Sequence, residues 1–149
     1  MKKLVVYDSL YGNTEKVAYA VAKSLSAKTV TVKEIKIADL QGLDVLVVGS
    51  PTQGGRATIA LQELLKDIPP KTLKNVKTAV FDTRFLEKEL NFALKMLVKT
   101  IGYAAPKMAE VLKSKGVKLI APPEGFIVIG KEGPLAPGEL KRAREWLKL

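Results

Sequence analysis

The sequence predicts an α/β fold, a doubly wound parallel sheet with helices on both faces. Three observations lead there. Strand-like apolar runs alternate with segments of helical period along the chain. Two of the runs, Asp44–Ser50 (DVLVVGS) and Val76–Asp82 (VKTAVFD), are short and nearly continuously apolar, as strands buried on both faces require. Each strand is separated from the next by helix-forming chain, and right-handed crossovers distribute such helices to the two faces.

The first strand is read over about residues 2–8. It breaks at Asp8-Ser9, crosses a loop containing Gly12, and turns helical over about 13–26. Val17, Ala18, Val21, Ala22 and Leu25 recur there at helical spacing and form one buried face. Lys28 to Ile37 alternates, with Val30 and Val32 opposite Thr29, Thr31 and Lys33, which predicts a half-exposed edge strand. Ala38 to Leu43 reads as a polar connection, and Asp44–Ser50 as a central strand. In Ser50-Pro51-Thr52-Gln53-Gly54-Gly55-Arg56 the proline and two glycines exclude regular structure. A helix over about 57–67 follows, with Leu61, Leu64, Leu65 and Ile68 on one side, and Pro69-Pro70 ends it.

Val76–Asp82 is the next strand, with Thr83-Arg84-Phe85 leaving its carboxyl end. Residues 85–102 are read as a helical insertion after this fourth strand. Leu86, Leu90, Ala93, Leu94, Leu97 and Ile101 share one helical face over 86–101, which predicts packing on the domain or on a second subunit. A helix over about 103–115 buries Ala105, Met108, Ala109 and Leu112, and Gly116 stops it. A discontinuous strand, Val117–Ala121 and then Phe126–Ile129, is split by Pro122-Pro123. The last helix, about 137–148, packs through Leu140, Ala143 and Leu147, with Trp146 flanking that face as a core anchor. The 149 residues make a single domain, with no repeat or linker.

Composition excludes several kinds of chemistry. The chain has no cysteine, so disulfides and thiolate catalysis are absent. It has no histidine, the commonest general base and transition-metal ligand, and no metal site is predicted. Redox chemistry would therefore come from a bound cofactor. The net charge is +10, but the lysines are scattered, without the clusters that nucleic-acid binding asks for. No apolar run approaches the ~20 residues of a membrane span. The four-residue apolar run after Met1-Lys2-Lys3 is too short for the ~7–15-residue core of a signal peptide, so a cytoplasmic protein is expected.

The first loop, Ser9-Leu10-Tyr11-Gly12-Asn13-Thr14, suits a phosphate monoester. Amides of a helix's first turn lack intrahelical partners, and the helix dipole adds positive charge there. Gly12 permits close approach, and Ser9, Asn13 and Thr14 offer donors. The loop has no lysine, so it is not a Walker A loop, and it lacks a GxGxxG pattern. The alternative is an ordinary turn with Asn13 capping the helix.

Val5-Val6-Tyr7-Asp8-Ser9, Gly12-Asn13-Thr14, Ala18 and Val21 resemble the flavodoxin signature, position by position over about 17 residues. Pro51, Thr52, Gln53, Gly54 and Gly55 are similar to the family's second loop, and Thr83, Arg84 and Phe85 stand at its third. Pro123–Phe126 and Glu132–Leu135 also look like short flavodoxin-domain proteins. The resemblance implies a five-stranded sheet of order 2-1-3-4-5 with FMN at the switch point between strands 1 and 3. It implies phosphate contacts from Ser9 to Thr14 and ring contacts from the other two loops. The second loop lacks the aromatic usual in electron carriers, which leaves Phe85 or Tyr103 to offer a ring face, Phe85 suiting the core as readily. Such carriers are typically acidic, and this chain is basic.

An FMN-binding electron-transfer protein is the leading expectation. The alternatives are a flavin-dependent NAD(P)H or quinone oxidoreductase and a regulatory domain that has lost FMN. The expected partner is a redox protein with an acidic face, met near Arg56 and Arg84. The chain is expected as a monomer, or as a homodimer through 86–101.

Overall fold

A computed structural model describes residues 1–86 and 101–149. The elements are β1 (Lys3–Tyr7), α1 (Asn13–Leu25), β2 (Lys28–Thr31), a 3-10 turn (Ile37–Leu40), β3 (Val45–Pro51), α2 (Ile59–Asp67), β4 (Lys77–Phe85), α3 (Ala104–Ser114), β5 (Glu124–Val128) and α4 (Glu139–Trp146). The five strands form one sheet of order β2-β1-β3-β4-β5, with every neighbouring pair parallel. The doubly wound sheet and its strand order therefore stand as the resemblance implied.

The strands' side-chain alternation divides the core in two. Val6, Leu46, Val48 and Val80 point to one face and meet Leu61 and Leu65 of α2 and Met108 and Leu112 of α3. Val5, Val47 and Phe81 point to the other and meet Val17 and Val21 of α1 and Ala143 of α4. In β3 this gives the pattern read from DVLVVGS: Val45 to Ser50 are all buried. Phe81, Phe126 and Trp146 pack edge to face with ring centroids 5.8–6.0 Å apart. Trp146 is the core anchor that the sequence suggested, each such aromatic contact being worth roughly 0.5–1.5 kcal/mol beyond burial. Gly49 pairs with Phe81 across β3 and β4, and a Cβ on it would lie 2.1 Å from Phe81 Cζ.

Four expectations are corrected. The edge strand stops at Thr31 rather than running to Ile37, because Glu34 N and Ile35 N both turn back to Thr31 O (3.0 and 3.2 Å). The connection over 38–43 contains the 3-10 turn, which buries Leu40. β4 does not end at Asp82: β5 pairs with Phe81 to Phe85 and holds the strand extended through Phe85. Phe85, weighed in the sequence as a core residue as readily as a ring-stacking one, is 41% exposed. The discontinuous fifth strand is as expected in kind. Leu119 makes a single parallel bridge to Thr78, and continuous pairing resumes only at Glu124, beyond the two prolines. The helix read over 86–101, and the dimer through it, fall on 87–100, which lie outside the described residues.

Candidate functional site

The direction of the chain's crossovers reverses between β1 and β3, since β2 lies on one side of β1 and β3 on the other. Adjacent parallel strands whose connections leave in opposite directions open a crevice at their carboxyl ends. Three connections, after β1, β3 and β5, converge there with the end of β4.

The first is Asp8–Gly12. Asp8 N donates to Gly49 O at 3.1 Å, so the loop starts from β3's backbone. Ser9 Oγ then accepts Gly12 N (3.1 Å) and Glu15 N (3.3 Å). Gly12 has φ 88°, a left-handed conformation that costs glycine little, and nothing lies within 4 Å of where a Cβ would be. Conformation, not crowding, asks for glycine here. Asn13 is the first helical residue rather than the cap, and its side chain reaches away: Nδ2 donates to Glu132 O at 3.0 Å. Thr14 Oγ1 and Thr83 Oγ1 are hydrogen-bonded at 2.8 Å. Each hydroxyl has one proton, so one donates within the pair and the other keeps its proton. The backbone N–H groups of Asn13 and Thr14 have no partner among the described residues. Two donors at a helix N-terminus thus stay available for an acceptor.

The second connection is a tight turn. Gln53 and Arg56 exchange backbone hydrogen bonds (2.8 and 3.0 Å) around Gly54 (φ 55°) and Gly55 (φ 80°). Two successive positive φ angles explain the glycine pair. Gly54 has open space where a side chain would be, while Gly55 is packed on Ile101. Thr52 N donates to Thr83 O at 2.9 Å, which ties this turn to the end of β4.

Strand alternation sorts the end of β4. Thr83 and Phe85 face the crevice, and Asp82 and Arg84 face the other side. Asp82 is fully buried and accepts Arg84 Nε (2.7 Å), Arg84 Nη2 (2.8 Å) and Ala105 N (2.8 Å) at the start of α3. The Arg84 guanidinium lies 3.9 Å from the Tyr103 ring centroid. This corrects the placement of Arg84 on the rim, and it leaves Tyr103 with an occupied ring face.

The third connection follows β5. Gly133 N bonds Gly130 O at 3.1 Å and Ile129 N bonds Pro134 O at 2.9 Å, closing a turn around Lys131 and Glu132. Together the three connections and the end of β4 surround a cavity of about 310 Å³. Its walls are Leu10, Tyr11, Asn13 and Thr14; Pro51, Thr52, Gln53 and Gly54; Thr83 and Phe85; and Val128 and Lys131. Of the residues singled out in the sequence, Ser9, Gly12, Gly55 and Arg84 do not line it. Ser9 and Gly12 shape the loop, and Gly55 is turned into the protein. Val128 and Lys131 were missed. The only signal for them was the likeness of the flanking tail segments.

The cavity's chemistry is that of binding. Among the described residues its lining has hydroxyls, amides, two rings (Tyr11 and Phe85) and one cation, with no carboxylate, histidine or thiol. Beside it, Tyr7 donates to Glu15 Oε2 at 3.2 Å, and burial, with bonding to Tyr19 and Glu15, pushes its phenol well above the ordinary value. Tyr7 is therefore neutral at physiological pH and supplies no base. A larger groove of about 750 Å³ lies between α2 and α3, lined by Ile59, Lys66, Val111 and Lys115 among others, away from the strand ends. No described helix is long and apolar enough to cross a membrane.

Comparison with known proteins agrees with this geometry. A family model described as Flavodoxin domain matches residues 4–117. A protein bearing the name diflavin flavoprotein A 4 in Synechocystis is 33% identical over 90 residues. That match takes in 54% of this chain but only 15% of the relative, so the chain spans a small part of that protein's length. Among solved structures, a flavodoxin from the domain Archaea superposes with a TM-score of 0.75 at 18% identity, over 97% of this chain and 92% of that one. Rubredoxin oxygen:oxidoreductase of Desulfovibrio gigas gives a TM-score of 0.71 at 21% identity, over 97% of this chain and 33% of that one. At such identities the superpositions speak for the fold.

Proposed function

The chain belongs to the flavodoxin domain family of FMN-binding electron-transfer domains, and from that premise we propose that it is an electron carrier with FMN seated in the cavity at the β1–β3 crevice. The observation that carries this reading is the pair of amides without a partner among the described residues, Asn13 N and Thr14 N, at the start of α1 on the edge of that cavity. They suit the phosphate of FMN. The proton left over from the Thr14–Thr83 pair suits it too. The open backbone at Gly54 and the rings of Tyr11 and Phe85 suit a flat, partly apolar ring. When bound, the flavin supplies the redox chemistry, and the protein supplies binding and orientation.

A carrier is favoured over an enzyme because, among the described residues, the lining offers no carboxylate, imidazole or thiol to move a proton on a substrate. The partner in this proposal is a redox protein with an acidic face, since the chain is +10 and the exposed Arg56 and Lys131 stand near the cavity. Arg84 no longer supports that idea, being tied to Asp82. The name of the longer rubredoxin oxygen:oxidoreductase favours a role beside an oxidoreductase module.

Purified protein incubated with FMN and freed of excess should show the flavin band near about 450 nm. Colourless protein would overturn the reading and favour a regulatory domain without flavin. Steady turnover of NADPH with a quinone, with no added reductase, would favour the oxidoreductase alternative.

A further inference from the structure

We propose that Lys131 recognises the phosphate of the flavin and makes the site selective for FMN over riboflavin; this deepens the FMN reading and rests on it. The first loop has no lysine or arginine from Asp8 to Thr14, so its own sequence offers no full positive charge to a monoester. The fold brings one from the far end of the chain. Lys131 stands in the turn between Gly130 and Gly133. The neighbouring carbonyl, Glu132 O, accepts Asn13 Nδ2 at 3.0 Å. Gly133 passes so near that a Cβ on it would lie 2.6 Å from the Asn13 amide group. The turn is therefore seated on the first residue of α1, where the unpartnered amides are.

Lys131 lines the cavity together with Leu10, Tyr11, Asn13 and Thr14, and it is the only charged side chain among the described residues that does. Glu132, exposed in the same turn, carries the nearest opposing charge in sequence and does not line the cavity. An ammonium on a flexible stem meets a phosphate as a point charge, without demanding a fixed geometry. Amides and hydroxyl then orient the phosphate, and Lys131 supplies the charge. Riboflavin, without a phosphate, has nothing for it to meet.

The test measures dissociation constants for FMN and riboflavin by flavin fluorescence, at low and physiological salt, for wild type, Lys131→Gln and Lys131→Arg. Lys131→Gln should weaken FMN roughly tenfold, as expected for loss of one charge-assisted contact at a partly exposed site. Riboflavin should change less than about twofold, and the salt dependence of FMN binding should flatten with the lost charge. Lys131→Arg should keep most of the selectivity, and the melting points of the flavin-free proteins should agree. Equal weakening of both flavins would assign Lys131 to the wall alone and overturn the inference. Unchanged FMN affinity in Lys131→Gln would also overturn it while leaving the FMN reading intact. A wild type that takes up neither flavin would overturn both.

Discussion

Gly49 and Thr14 show how single residues decide this site. Gly49 sits in β3, opposite Phe81, where any Cβ would overlap the phenyl ring. Gly49→Ala should overpack a buried layer and destabilise by roughly 1–3 kcal/mol, read as a lower urea midpoint with an unchanged slope. Thr14 is 1% exposed and shares its hydroxyl with Thr83. Thr14→Ala should weaken FMN by about 1.5–3 kcal/mol if that hydroxyl pair donates to the phosphate, with little effect on riboflavin in the same titration. At this scale the first loop was legible, because hydroxyls, an amide and a glycine between a strand and a helix have a local meaning. Arg84 was not. Its side depends on β4 continuing past Asp82, and that depends on pairing with a strand some forty residues further on. Lys131 was invisible for the same reason: nothing local relates it to Asn13.

Among the elements, α4 has the clearest chemical anchor. Glu139, its first residue, accepts Ile127 N at 2.7 Å and both Nε and Nη2 of Arg142 (3.0 and 2.8 Å). Arg142 also pairs with Glu124 at 2.9 Å, so the cluster joins the helix to β5 just ahead of the Lys131 turn. The Arg142 guanidinium, helped by the Ile127 amide and opposed by burial, holds the Glu139 carboxyl below its ordinary value. A carboxyl depressed in the folded state contributes stability above its unfolded pKa and loses it as pH falls through the folded one. Wild type should therefore lose this contribution progressively below about pH 4.5. Glu139→Gln should be less stable at pH 7, and the gap in urea midpoint should narrow on acidification toward pH 2–3. A gap independent of pH would contradict the assignment. The four described helices were legible from their apolar period. The end of β2 was not, because the alternation from Lys28 to Ile37 fits a strand as well as it fits a turn that keeps Val32 inside.

For the whole molecule, the strand-and-helix alternation made the sheet legible, and the resemblance supplied its order. The meeting of three connections and the end of β4 at one crevice follows from that order. The net charge has no such structural consequence, and its reading stays kinetic. Steered encounter with an acidic partner should slow steeply as salt rises, since the Debye length falls to ~8 Å at 0.15 M. Stopped-flow reduction by acidic and basic reductases across that range checks it; a rate indifferent to salt would leave the lysines as solubilising charge. Ligand linkage adds a second expectation. FMN at about a hundred times its dissociation constant should raise stability by ~2.7 kcal/mol, and riboflavin at the same concentration by less.

The bonds that tie the first loop to its surroundings also set an order of assembly. Thr14 meets a partner 69 residues away in sequence, and Asn13 one 119 residues away. A ribosome delivers the chain from its N-terminus at about 5–20 residues per second, so the loop exists for several seconds before the segments that complete it. Until β5 and the turn after it have emerged, the wall of Val128 and Lys131 and the seat of Asn13 are missing, their contacts being among the most non-local in the molecule. Cofactor capture thus belongs to the finished chain, and nascent protein cannot use the flavin as a template for its first half.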